Sequence, residues 1–212
     1  MGRVILKRIT ALFVVFGLIF TVALFFIEKQ GYRRSINAPL VPAQSPAEGT
    51  VQLSREGYNV NLDLLYEYRL EGLVVITEDY TGTNNPSNVF SPKDVTVVWG
   101  KAAEYNNKID FKWRHSARHS YHYITSQDAI KYFGGISYLN AEVSNNHIIP
   151  ADDKVRKEVE MIRTGDHIII EGYLVNANFG RYGTWRSSTT RLDTGDGACE
   201  IIYVTNVKWV AD

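Results

Sequence analysis

Nineteen consecutive uncharged residues, Ile9 to Ile27 (ITALFVVFGLIFTVALFFI), constrain this chain more than any other stretch of its 212 residues. A helix rising about 1.5 Å per residue makes such a run into a rod of roughly 28 Å, close to the thickness of a bilayer's hydrocarbon core. Within that rod every backbone group is bonded internally, which lipid requires. Arg3, Lys7 and Arg8 precede the run, and Glu28, Lys29, Arg33 and Arg34 follow it. A cleaved signal peptide would have a shorter apolar region and a small-x-small site, whereas this run ends Phe25-Phe26-Ile27-Glu28. The expectation is a basic tail over 1–8 and a retained transmembrane helix over 9–27, in direct contact with the lipid bilayer. Basic residues flank both ends; the short N-terminal tail and the usual dominance of a first helix favour N-inside, C-outside.

Residues 28–49 contain the stretch Ser35 to Gly49 (SINAPLVPAQSPAEG), with three prolines and little apolar periodicity. They read as an extended tether, the alternative being a first strand lying on the domain. A soluble domain over 50–212 follows, long enough for a proper core. The whole chain holds 23 basic and 23 acidic residues; residues 1–45 take six basic and one acidic, leaving 17 against 22. That mildly acidic balance disfavours a nucleic-acid partner unless the positive charges cluster. A single cysteine, Cys199, excludes an internal disulfide and any CxxC metal or redox pair.

From Thr50 onward the apolar residues mostly fall at strand spacing. Gly72–Asp79, Asp94–Gly100, Ile109–Arg114, Ser120–Thr125, His167–Val175 and Cys199–Val210 are rich in β-branched and aromatic residues. Asn59–Arg69 is ambiguous between strand and helix. One helix stands out over Ala151–Arg163: Asp152 and Asp153 suit its N-terminus, Val155, Val159 and Ile162 form one stripe, and Thr164-Gly165-Asp166 stops it. The fold class expected is mainly β with one helix: a small antiparallel β-barrel, OB-like, with a β-sandwich or SH3-like barrel as alternatives. The phrase VEMIRTGDHIIIEGYLV, residues 159–175, resembles the helix, Gly-Asp turn and strand common in OB-like proteins. Ser144–Asp152 (SNNHIIPAD), Trp185–Ser188 (WRSS) and Asp193–Glu200 (DTGDGACE) are similar to the layout of uncharacterised bacterial membrane-anchored proteins. That likeness implies a bacterial inner-membrane protein and supplies no reaction.

Several side chains suggest chemistry. His115, His119 and His122 lie close enough in sequence to suggest zinc. The flanking residues, however, read as a β-hairpin turning at Ser116-Ala117-Arg118, which splits the three between faces, and Lys112, Arg114 and Arg118 repel a dication. No metal site and no cofactor is therefore assigned. Leu192–Gly197 (LDTGDG) contains the Asp-Thr-Gly of aspartic proteases, but only 19 residues follow Asp193, too few for that fold. Cys199 with His147 forms a candidate nucleophile and base, with Asp152 or Asn146 to orient the imidazole. The blander reading makes Cys199 a small buried hydrophobe and His147 a loop residue ahead of the helix. For recognition, Trp185, Arg186 and Ser187 are favoured, with Tyr182 nearby: an indole offers a stacking face and a guanidinium a planar donor. Four function classes result: an envelope module binding a protein or glycan, an envelope hydrolase using His147 with Cys199 or an Asp, a single-stranded nucleic-acid binder, which would require cytoplasmic placement and a basic stripe, and a structural subunit of a membrane complex. The first is favoured, with the domain in the periplasm.

Overall fold

The computed structural model describes residues 14–21, 34–37, 41–191, 193 and 197–211. Residues 14–21 form a helix whose apolar side chains are all exposed. The remainder of the expected span, 9–13 and 22–27, lies outside the described residues. Among the described residues, no helix is long and apolar enough to cross a membrane.

The domain is mainly β. Its longest strand, β3 (Tyr58–Asp79), resolves the ambiguous segment as strand and runs on through the expected one. β3 pairs along one edge with β8 (His167–Asn178), and elsewhere with β1 (Ala43–Pro46), β2 (Thr50–Arg55) and β4 (Lys93–Val98). β4 pairs with β7 (Val143–Pro150), β7 with β10 (Glu200–Trp209), and β10 with β8, so that β3, β4, β7, β10 and β8 close a ring. The β7–β10 pair is parallel, a correction to the wholly antiparallel sheet expected. Closure depends on close backbone approach: a Cβ at Gly172 would lie 2.0 Å from the Tyr203 carbonyl oxygen, and one at Gly72 would lie 2.3 Å from that of Val98. Bulges at Leu64/Tyr66 and Val74/Ile76 bend β3 around the ring.

Leu70, Val95, Ile148, Ile170, Leu174 and Ile202 fill the interior. The helix Asp153–Met161 adds Val155 and Val159 to that core, with Ile162 just beyond it, as its apolar stripe requires. Asp152 caps this helix, its carboxylate accepting from Val155 N at 2.8 Å. Lys93, fully buried, donates to the Glu160 and Ile162 carbonyls and pairs with Asp79 at 3.0 Å, satisfying the helix's other end.

Two further clusters cover the outer face of the ring. Phe111, Trp113, Phe133 and Leu139 of the long 99–142 connection pack on Leu73, Val75 and Val98. Ile109, Phe111 and Trp113 are buried at the alternation the sequence suggests, yet only Arg114 of Ile109–Arg114 joins a ladder. On the other side Phe90, Phe179, Ile149 and Ile201 gather with Val60 and Leu62. The segment expected to be a free tether is partly docked: β1 pairs with β3, and Ile36 is buried in the first of these clusters. Extended backbone is as the prolines dictate, but the unpaired edge of β3 captures it.

Candidate functional site

Between the two outer clusters the surface of β4, β7 and β10 turns polar. Alternation along β4 sends Val95 and Val97 inward and Asp94 and Thr96 outward. On β7 it sends Ile148 inward and Asn145 and His147 outward. The register sets Asp94 opposite His147 and Thr96 opposite Asn145. Asp94 has no exposed surface, and its Oδ1 accepts from His147 Nδ1 at 2.9 Å. Cys199 lies just before β10, where Asn145 Nδ2 donates to its sulfur at 3.5 Å.

A hairpin, β5 (Arg114–Ser116) and β6 (His119–Tyr121), presses onto this face. Its two turn residues, Ala117 and Arg118, both have positive φ, 49° and 63°, where L-residues are strained and Asn-Gly is the usual choice. Arg118 compensates by insertion. Its guanidinium donates to Asp94 Oδ1 at 2.9 Å, Asn88 Oδ1 at 2.8 Å and the Ser91 carbonyl at 3.0 Å, and lies 3.7 Å from the Tyr80 ring centre. Asn145 donates back to the Arg118 carbonyl at 2.9 Å. His115, its side chain 2% exposed, sits with Nε2 3.5 Å from Asp94 Oδ2, a close polar contact without a formed hydrogen bond.

Asp94 is thus a carboxylate held by three cationic or polar neighbours. Burial pushes its pKa up, but the two imidazoles and Arg118 outweigh burial and hold it below the usual carboxylate range. Burial pushes the Cys199 thiol up; the Asn145 amide offsets part of this, and Glu200, Asp94 and Asp193 add to it. The thiol is therefore neutral at physiological pH.

Beside this knot lies a cavity of about 460 Å³ lined by Arg118, His147, Trp185, Arg186, Cys199 and Ile201, among others. Trp185, in the short strand β9 (Thr184–Trp185), meets the His147 ring at 5.2 Å, Phe179 edge-on at 5.4 Å and the Arg118 guanidinium at 5.0 Å. It is a cavity wall held on several sides rather than an open stacking platform. Arg186 is exposed at the rim.

The remaining expected residues fall elsewhere. Asp152 is the helix cap, and Asn146 points inward to donate to the Val95 carbonyl at 2.9 Å, so neither orients His147. Ser187 stitches the loop: its N–H donates to Asn176 Oδ1 and its hydroxyl accepts from Ile201 N. Tyr182 packs edge-on against Tyr58 in a separate cavity that also holds Asn59, Asn61 and Asn178. Asp193 accepts from the Ser188 hydroxyl at 2.7 Å; Leu192 and residues 194–196 lie outside the described residues. The three histidines of 115–122 part company: His115 faces Asp94, His119 Nδ1 meets the Ala117 carbonyl at 2.8 Å, and His122 lies 5.2 Å from the Trp113 ring. His147 lies in mid-strand, not in a loop.

Asp94 and Arg118 are the residues that sequence reasoning passed over. The signal for Asp94 was a lone acid at the head of the β-branched strand segment Val95–Trp99; Arg118 was read as a turn residue and as a charge repelling a dication. Comparison with known protein families, with characterised proteins and with solved structures finds no match to this chain.

Proposed function

We propose that this chain is a membrane-anchored binding module of the bacterial cell envelope, which captures a protein or glycan at the cavity beside Trp185. The domain is read as an OB-like barrel. Five strands closing a ring, with a helix between β7 and β8, support that reading over a sandwich. The observation that carries the functional reading is the cavity's position. It opens on the outer face of β7 and β10, beside Thr184–Arg186 of the connection between β8 and β10, the kind of surface where OB barrels bind ligands. The strained hairpin and the buried charges beneath the cavity are features that concentrate at functional sites. The anchor is the apolar run 9–27 of the sequence, and the periplasmic face of the inner membrane is the proposed location. Replacing Trp185 and Arg186 together with Ala is expected to abolish crosslinking of the full chain to envelope material; loss of the Trp185 packing lowers the melting temperature, whereas Arg186→Ala alone, at an exposed side chain, leaves it unchanged and still weakens crosslinking. Undiminished crosslinking would remove the cavity from the account.

A second reading, a thiol hydrolase, is favoured by one observation: Asp94 orients His147, and Cys199 lines the same cavity. Against it, Cys199 bonds to Asn145 rather than to His147 among the described residues, and burial disfavours its thiolate. Iodoacetamide discriminates between the readings. An activated thiol alkylates rapidly at pH 7 and slows when His147 is replaced by Gln; a buried packing thiol stays slow in both.

A further inference from the structure

The cavity beside Trp185 has a chemical bias that narrows its occupant. Two guanidinium groups line it, and among the described residues no carboxylate does. The two arginines differ in availability. Arg118 is committed to Asp94, Asn88 and the Ser91 carbonyl. Arg186 is exposed and makes no hydrogen bond or ion pair with the described residues. A planar cation held at a rim with its donors unused suits a carboxylate or another oxyanion.

His147 supplies a need of the opposite kind. An ionised Asp94 can only accept, so Nδ1 carries the hydrogen of their 2.9 Å bond. In the neutral imidazole Nε2 is then an acceptor, fixed in orientation by the carboxylate behind it. No donor among the described residues uses it. Trp185 and Ile201 make the neighbouring wall apolar. An occupant that satisfies all three features carries an anionic oxygen, a hydroxyl and an apolar face. A simple oxyanion leaves the apolar wall empty, and a neutral sugar leaves Arg186 unpaired.

We propose that the cavity takes an acidic sugar, its carboxylate on Arg186, a hydroxyl donating to His147 Nε2, and its C–H face against Trp185 and Ile201. The assignment rests on the binding reading above and makes its partner a carboxylate-bearing glycan. The test is an NMR titration of the full chain in detergent micelles with sodium glucuronate, glucose and inorganic phosphate as separate probes. Glucuronate is expected to bind about tenfold or more tightly than glucose or phosphate. Arg186→Ala should weaken glucuronate about tenfold, to the level of glucose, and Arg186→Lys should restore part of the loss. Glucuronate no tighter than glucose, phosphate tighter than glucuronate, or an indifferent Arg186→Ala would each overturn the assignment. Crosslinking that still depends on Trp185 and Arg186 while glucuronate fails to bind overturns the sugar alone; loss of that dependence overturns the binding reading as well.

Discussion

A carboxylate with no exposed surface is costly unless its neighbours replace water, and around Asp94 the groups that do so are His115, His147 and Arg118. Asp94→Asn removes the charge while leaving the Arg118 guanidinium buried without its counter-ion, and an expected loss of about 3–5 kcal/mol should appear as a lower urea midpoint. The pH dependence has a definite sign. The folded pKa lies below the ordinary 3.8, so the stabilisation is complete above that value and is lost as pH falls through the folded pKa. The acid limb of the stability curve should therefore be shallower in Asp94→Asn. Glu200 behaves oppositely. Burial pushes it up to about 8 despite the pull of Arg191, which pairs with it and also donates to the Tyr68 hydroxyl at 2.8 Å. From about 4.5 to about 8 the folded chain holds a proton that the unfolded chain has released, so stability falls as pH rises across that window. Glu200→Gln cannot titrate, and its melting temperature should vary less over the same range. Neither environment was legible in the sequence. A buried acid is written with the same letter as a solvated one, and its partners come from strands and loops far along the chain.

At the scale of elements, legibility followed local periodicity. The helix Asp153–Met161 was readable because Asp152 and the Val155, Val159 stripe are short-range signals. β7 was not, because Val143–Pro150 contains two asparagines and ends on proline, all poor strand formers. Its tertiary partners outweigh that propensity: Asn146 reaches the Val95 carbonyl inside the ring, and Asn145 holds Thr96, Arg118 and Cys199 outside it. The hairpin was legible in position but not in purpose, since nothing local shows that Arg118 is driven into the sheet. Its left-handed turn yields a prediction. Ala117→Gly relieves the Cβ strain at φ 49° at the cost of some unfolded-state entropy, a net gain of about 0.5–1 kcal/mol measurable by thermal unfolding.

For the molecule as a whole, orientation is the first quantity to measure. A periplasm-active reporter fused after Asp212 should give signal and a cytoplasm-active one should not; the reverse would invert the proposed topology and restore cytosolic ligands. The docking of residues 34–37 and of β1 then acquires a meaning beyond packing. Only six residues separate Ile27 from Arg34, and the seven steps between them span at most about 25 Å. On the proposed anchor the domain searches a thin layer above the lipid, and any glycan fixed within that layer meets it at high effective concentration. Millimolar affinity for a single sugar is sufficient under such confinement, and a soluble fragment of the same glycan competes poorly.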